Sequence, residues 1–139
     1  MLITYLIASV ILSVCPIALF VVFVWWLDRF DREPIWLVGV CFGWGAIGGV
    51  IVSIVLSLIL LIPFTLLLGD SGADAVGAML IAPIVEEPAK AMILILIMQS
   101  MHFDNTTDGF VYGAACGLGF AMTENFLYFV DVGSTNDIE

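Results

Sequence analysis

The sequence predicts an all-α fold, a polytopic bundle of transmembrane helices with about four spans. Of its 139 residues, 63% are apolar and 12% are charged, against roughly 45–50% and about 25% in a soluble domain. Three apolar runs exceed the roughly 20 residues that cross a bilayer as a helix. The length allows a single domain, residues 1–139. We therefore expect a multi-pass protein of the cell membrane whose helices contact the lipid bilayer.

The charge balance excludes one class of partner. Three basic residues, Arg29, Arg32 and Lys90, stand against thirteen acids, for a formal net charge of -10. Binding to a phosphate backbone requires clustered Lys and Arg side chains. The composition therefore excludes nucleic acid as a direct partner.

The first predicted span covers residues 2–27 and ends in Trp25 and Trp26, a residue type that favours the membrane boundary. A signal peptide is a poor alternative, because no basic residue precedes the apolar run. Two arginines follow the span, in the loop 28–34. The positive-inside rule predicts that this loop is cytoplasmic and that the N-terminus lies outside.

The second apolar run extends from Ile35 to about Leu68 and is too long to cross the bilayer straight. Pro63 is expected to bend or end this helix, because proline lacks a backbone donor. A span over residues 35–62 and a short interfacial piece would result. The polar stretch 69–72 predicts an outer turn.

The third and fourth predicted spans, residues 73–99 and 108–130, are less apolar. The fourth carries a small residue at every fourth position, at Gly109, Gly113, Gly117 and Ala121. Such a stripe predicts close approach of another helix. The tail 131–139 would be an outer end. His102 lies in the polar inner segment between the two spans, where an ordinary solvated side chain is expected.

Three charged residues lie near the middle of the third span. In a helix, Glu86 and Lys90 form an i, i+4 pair, and Glu87 and Lys90 form an i, i+3 pair. A carboxylate at this depth costs about 2.5–3.5 kcal/mol by insertion scales and usually marks a pathway or site. One ammonium can neutralise only one of the two carboxylates, so we expect one acid to stay charged beside Lys90 and the other to be protonated. This difference in protonation is what a general base requires. Pro83 and Pro88 are expected to distort this turn.

Glu124 supplies a further acid from the fourth span. Steps of four, three and four residues back from it reach Phe120, Gly117 and Gly113. The helical period therefore predicts that Glu124 shares the close-packed face and points into the bundle. Asn125 beside it could stabilise an oxyanion.

Metal and redox chemistry have weaker support in the sequence. A divalent metal such as zinc would have to take Glu86, Glu87 and Glu124, an all-oxygen set, whereas catalytic zinc usually has at least one His or Cys ligand. The sequence therefore disfavours a complete zinc site, and no cofactor is certain.

Three cysteines, an odd number, lie within apolar spans and are expected to be packing residues.

Several motifs resemble those of the PrsW family of intramembrane proteases. Residues 86–90 (EEPAK) are similar to the EExxK motif of that family, and residues 120–125 (FAMTEN) to its FxxxE motif. Residues 108–113 (DGFVYG) and 117–120 (GLGF) resemble its D-G-x-V-Y-G and G-x-G-F stretch, and parts of the loop 28–34 resemble its first inner loop. The resemblance covers nearly the whole chain.

The resemblance implies a helical membrane protease, related to CAAX-prenyl and bacteriocin-processing proteases, that cuts a membrane-protein or peptide substrate. It implies that Glu86 and Glu87 activate water and that Glu124 completes the acidic site. Lys90, Asn125 and Phe120 would support them. Members have been described both as metalloproteases and as glutamate-dependent enzymes. The family usually continues into helices that bring an intramembrane histidine, and we expect that group from a longer chain or from another copy in a homo-oligomer.

Two other functions remain open from the sequence. One is a non-catalytic membrane scaffold, or pseudoprotease, that binds another helix through the glycine stripe. The other is a proton- or cation-coupled carrier, because Glu and Lys inside a membrane also build ion pathways. Four spans are few for an alternating-access carrier, and no inverted repeat is evident.

Overall fold

The structure, a computed structural model, describes residues 2–27, 33–100, 103–104 and 106–135, and all secondary structure within them is helical. This confirms the predicted all-α class. The elements in chain order are α1 (Leu2–Leu27), α2 (Ile35–Gly43), a first π-helical segment (Trp44–Gly49), α3 (Val50–Val76), a second π-helical segment (Gly77–Ile81), α4 (Ala82–Ile97) and α5 (Thr106–Thr135). Most of the predicted inner loop (residues 28–32), His102 and the last tail residues (136–139) lie outside the described residues.

Two helical runs in the described part of the chain are long and apolar enough to cross a membrane, Ile3–Val24 and Ile35–Ile97. Many large apolar side chains on both runs are exposed, as expected of surfaces that contact lipid. The second run has 63 residues, more than twice the roughly 20 that one crossing requires. The count of four spans remains a prediction, because α5 is not among the runs that meet this criterion.

The chain folds back at Gly69, inside the second run. Gly69 has φ 73° and ψ 176°. A residue with a side chain would be strained in this backbone conformation, whereas glycine adopts it readily. Leu61 and Gly77, equally far from Gly69 along the chain, then pack together, and a Cβ on Gly77 would lie 3.2 Å from Leu61 Cδ1.

The expectation that Pro63 could end the helix is wrong. The helix tolerates one missing donor at Pro63 and reverses where a glycine permits positive φ.

Helix α5 is the central element of the bundle. It packs against α1, α2, the first π-helical segment and α4. Its buried side chains join Leu37 and Cys41 of α2 and Ile97 of α4 in the main core cluster; those of α5 are Tyr112, Ala115 and Cys116. Small residues suit a helix that touches neighbours on several sides, which explains why α5 is less apolar than the lipid-facing helices.

The closest helix contact does not use the predicted glycine stripe. A Cβ added to Gly45 would overlap the carbonyl oxygen of Cys116, and one added to Gly119 would overlap that of Phe42. A Cβ on Gly117 would meet nothing within 4 Å. The stripe was the wrong prediction for this crossing. Gly119 is two residues from Gly117, about 200° around the helix, so the two glycines face opposite ways.

A hydrogen bond between residues far apart in sequence fixes the start of α2. The Tyr112 hydroxyl, on α5, donates to a carboxylate oxygen of Glu33. Tyr112 is completely buried, and Glu33 comes just before α2. The contact therefore joins the chain just before the long helical run to the centre of the bundle.

We predict that Tyr112→Phe lowers the free energy of unfolding by about 1–2 kcal/mol, because the substitution removes the donor but leaves the partly buried carboxylate in place. Thermal unfolding in detergent, followed by circular dichroism, measures the change. Tyr128→Phe is the matched control, since Tyr128 lies on the same helix and is 66% exposed. Equal stability of the two variants would show that the Glu33 contact contributes nothing.

Candidate active site

A cavity of about 620 Å³ lies between α3, the second π-helical segment, α4 and α5. Most of its walls are apolar. Its polar lining residues are Ser53, Ser57, Glu86, Glu124, Tyr128 and Asp131. The structure therefore brings two of the three predicted acids, Glu86 and Glu124, to one cavity from two helices.

The second π-helical segment ends just before the acids. Pro83 occupies the first turn of α4, and a proline ring in a helix clashes with the carbonyl four residues earlier, here that of Met79. Met79 lies within the π-helical segment Gly77–Ile81, where the wider helix relieves such a clash. The proline thus accounts for the local distortion that the sequence predicts beside Glu86.

The two adjacent acids of α4 have different surroundings. Lys90 Nζ lies 2.8 Å from Glu87 Oε1 and 3.9 Å from Glu86 Oε2. The Glu86 side chain is 24% exposed and lines the cavity, whereas that of Glu87 is 74% exposed and is not among the lining residues. Consecutive residues of a helix point about 100° apart, which separates the pair. Lys90 thus pairs closely with Glu87 and leaves Glu86 facing the cavity.

Lys90 is held by groups from two other elements. Its Nζ lies 4.2 Å from the ring centroid of Phe120, which is 2% exposed, so the ammonium makes a cation–π contact. Its backbone is fixed as well, because Trp44 Nε1 donates to the Ala89 carbonyl at 3.0 Å and Cys116 Sγ to the Lys90 carbonyl at 3.5 Å. Trp44 and Cys116 could not be assigned to the site from sequence, since both contacts are long-range.

Glu124 lies on the cavity wall contributed by α5. Its neighbour Thr123 donates a 2.7 Å hydrogen bond to the Ala46 carbonyl, which fixes this turn of α5 against the first π-helical segment. Glu124 is exposed and lines the cavity together with Glu86. On the face that Glu124 was expected to share, Phe120 is buried and a Cβ on Gly113 would lie 3.8 Å from Leu94 Cδ1. A Cβ on Gly117 would meet nothing within 4 Å, so the predicted close packing is corrected at Gly117 alone.

Asn125, the expected oxyanion donor, is exposed and does not line the cavity. It lies one residue beyond Glu124, about 100° around the helix from the cavity wall. We therefore assign it no role in the site.

The described residues do not form a complete zinc site. Within residues 2–27, 33–100, 103–104 and 106–135, no three His, Cys, Asp or Glu side chains are placed to hold one metal ion. Glu86 and Glu124 offer two carboxylates, while Glu87 is paired with Lys90 outside the cavity. Catalytic zinc generally takes three protein ligands. The predicted set of Glu86, Glu87 and Glu124 therefore does not fit a catalytic zinc ion.

The fold defines a helical protein with two apolar runs long enough to cross a membrane, and its cavity is lined by the carboxylates of Glu86 and Glu124. The sequence profile described as PrsW family intramembrane metalloprotease matches residues 33–138. The chain belongs to this family, so the predicted family resemblance is confirmed.

Two curated relatives support the assignment. The chain is 35% identical over 119 residues to Protease PrsW of Clostridioides difficile (strain 630), covering 85% of this chain and 49% of the relative. It is 31% identical over 113 residues to Protease PrsW of Bacillus subtilis (strain 168), covering 76% and 46%. The chain thus spans about half the length of the curated relatives that it matches. No solved structure matches it.

Proposed function

We propose that this protein is an intramembrane endopeptidase that hydrolyses a membrane-protein or peptide substrate with a glutamate-activated water molecule. One observation carries the proposal: Glu86 and Glu124 line the same cavity, while Lys90 is held against Glu87 and Phe120. Family membership and the names of the relatives support the same reaction class.

In the proposed reaction, Glu86 accepts a proton from water as the water oxygen attacks the scissile carbonyl carbon. Glu124, on the facing helix, donates a proton to the leaving amine as the carbon–nitrogen bond breaks. The products are a carboxylic acid and an amine, and the two glutamates exchange protonation states during the cycle. Opposed roles for Glu86 and Glu124 require environments that differ. Glu86 lies 3.9 Å from Lys90 Nζ, whereas Glu124 forms no ion pair with a residue that the structure describes.

Lys90 is a positioning residue in this scheme. Its ammonium stabilises the Glu87 carboxylate at 2.8 Å and lies farther from Glu86, at 3.9 Å. Were Lys90 to move onto Glu86, it would neutralise the proposed base. The Phe120 ring and the hydrogen bonds to the Ala89 and Lys90 carbonyls oppose that movement.

We further propose the topology that the positive-inside rule predicts, with the N-terminus outside and the loop 28–34 in the cytoplasm. Gly69 then lies at the outer surface, where the chain reverses. Glu124 lies in the half of α5 that leads toward this side, so the cavity would open to the outer half of the bilayer.

Proteolysis in proteoliposomes tests the proposed activity. The chain is reconstituted with a panel of single-span peptides labelled at both ends, and products are identified by mass spectrometry. A variant with Glu86, Glu87 and Glu124 all changed to Gln is the control. We expect internal cleavage by the parent chain alone. Equal product from parent and control would contradict the proposal.

A non-catalytic helix-binding protein is the second candidate, since Gly117 leaves part of α5 uncovered within the described structure. This function predicts partner binding that survives the Glu→Gln changes and is lost when Gly113 and Gly117 become Leu. Pull-down of a crosslinked partner from membranes with these variants separates the two candidates.

A further inference from the structure

Two serines line the cavity wall contributed by α3. Ser53 and Ser57 are four residues apart, so both lie on the helix face that meets the second π-helical segment, α4 and α5. The Ser53 hydroxyl is buried and donates to the Val50 carbonyl at 2.9 Å. The Ser57 hydroxyl is half-buried and has no hydrogen bond to any residue that the structure describes. Ser57 therefore offers this cavity wall a hydroxyl that is not committed to its own helix.

The chemistry of the cavity gives such a hydroxyl a use. A peptide bond is open to attack only where the local helix of a membrane segment is unwound, which frees backbone N–H and C=O groups. Freed groups in a low-dielectric site are costly unless they find hydrogen-bond partners. Most of the cavity wall is apolar and cannot supply them.

The position of Ser57 relative to the acids fits contact with a bound backbone. Because the chain reverses at Gly69, Leu61 lies beside Gly77. Each step back along α3 from Leu61 therefore reaches the same depth in the bundle as an equal step forward from Gly77 toward the acids. Ser53 then lies near the depth of Glu86, and Ser57 about one helical turn, roughly 5.4 Å, toward Gly69. A chain extended by one or two residues from the reacting carbonyl reaches that distance.

We propose that Ser57 is a substrate-binding residue whose hydroxyl hydrogen-bonds the unwound backbone of a membrane segment, on the cavity wall contributed by α3. This inference rests on the proposed function, because a polypeptide backbone is the ligand. The ligand class is a helix-broken transmembrane peptide, recognised through main-chain groups and independently of its side chains.

Binding of two synthetic peptides tests the inference without any cleavage. Both are Leu/Ala transmembrane peptides of about 24 residues, and one carries a central Gly-Pro pair that breaks its helix. The protein carries Glu86→Gln, so that binding is measured apart from hydrolysis. Affinities are read in proteoliposomes by energy transfer between labelled peptide and labelled protein, for this parent and for versions that add Ser57→Ala, Ser57→Thr or Thr65→Val.

We expect the parent to prefer the broken peptide and Ser57→Ala to weaken its binding about tenfold, which corresponds to about 1.4 kcal/mol. Binding of the unbroken peptide should not change, and Ser57→Thr, which keeps the hydroxyl, should retain the preference. Thr65→Val is the matched control, because Thr65 lies on the same helix, bonds the carbonyls of Leu61 and Ile62, and does not line the cavity.

Three results would overturn the inference: no preference of the parent for the broken peptide, unchanged binding in Ser57→Ala, or equal loss for both peptides. Equal loss would mark Ser57 as a structural residue. Cleavage is scored separately with the chain that retains Glu86. A chain that binds with this preference but cuts nothing would contradict the proposed function and leave the binding site in place.

Discussion

Glu86→Gln is expected to lower the rate of peptide cleavage about 1,000-fold, within the range that general acid–base groups contribute. Glutamine keeps the size of the side chain but cannot accept the proton from water. Glu124→Gln should cause a similar loss, because it removes the proposed acid from the facing wall. Initial rates with one peptide in proteoliposomes measure both effects, and circular dichroism verifies the helix content.

Glu87→Gln should also reduce cleavage, about 100-fold, for another reason. In the parent structure, Lys90 Nζ lies 3.9 Å from Glu86 Oε2. Without the Glu87 carboxylate, Lys90 would pair with Glu86 and neutralise the proposed base. Adding Lys90→Met to this variant should restore the rate about tenfold, because no ammonium remains to move.

Asp74→Asn is the matched control for the acid substitutions. Asp74 is exposed, lies on the same long helical run, and does not line the cavity. Its rate should equal that of the parent chain. Unchanged rates in Glu86→Gln, Glu87→Gln and Glu124→Gln together would contradict the glutamate mechanism.

Gly119→Ala should lower the free energy of unfolding by about 3 kcal/mol, at the upper end of the usual cost of overpacking. The added Cβ would overlap the Phe42 carbonyl oxygen and lie 2.9 Å from the Ala46 nitrogen. Both are backbone atoms, so no side-chain rotation relieves the contact, and α5 must move away from the first π-helical segment. Gly45→Ala should have a comparable effect, through the Cys116 carbonyl.

Gly117→Ala and Gly43→Ala are the controls for this stability prediction. A Cβ at either position meets nothing within 4 Å, and alanine favours a helix over glycine by about 1 kcal/mol. Both variants should be as stable as the parent chain or more stable. Thermal unfolding in detergent ranks the four variants, and equal stability of Gly119→Ala and Gly117→Ala would show that the close crossing is absent.

Local features of this chain could be predicted from sequence because helix geometry alone determines them. The i, i+3 and i, i+4 spacings anticipate the contacts of Lys90 with Glu87 and Glu86. The first apolar run predicts a helix over residues 2–27, and α1 spans Leu2–Leu27. The all-α class follows from composition and from the length of the apolar runs.

Contacts between distant residues could not be predicted in the same way. The cation–π contact of Lys90 with Phe120 and the hydrogen bond from Trp44 to Ala89 depend on how helices rotate against one another. The spacing of small residues suggested a stripe through Gly117, whereas the crossing uses Gly119 and Gly45. Every small residue on a helix permits close approach, and only the partner's position decides which one is used.

The reversal at Gly69 has a consequence for how the chain enters a membrane during synthesis. By insertion scales, Glu86, Glu87 and Lys90 oppose entry of their own helix by several kcal/mol. The Leu- and Ile-rich stretch before Gly69 favours entry, at about 0.3–0.6 kcal/mol for each such residue. Because the turn between them is so short, we expect the two arms to partition together, with the apolar arm carrying the acidic one into the bilayer.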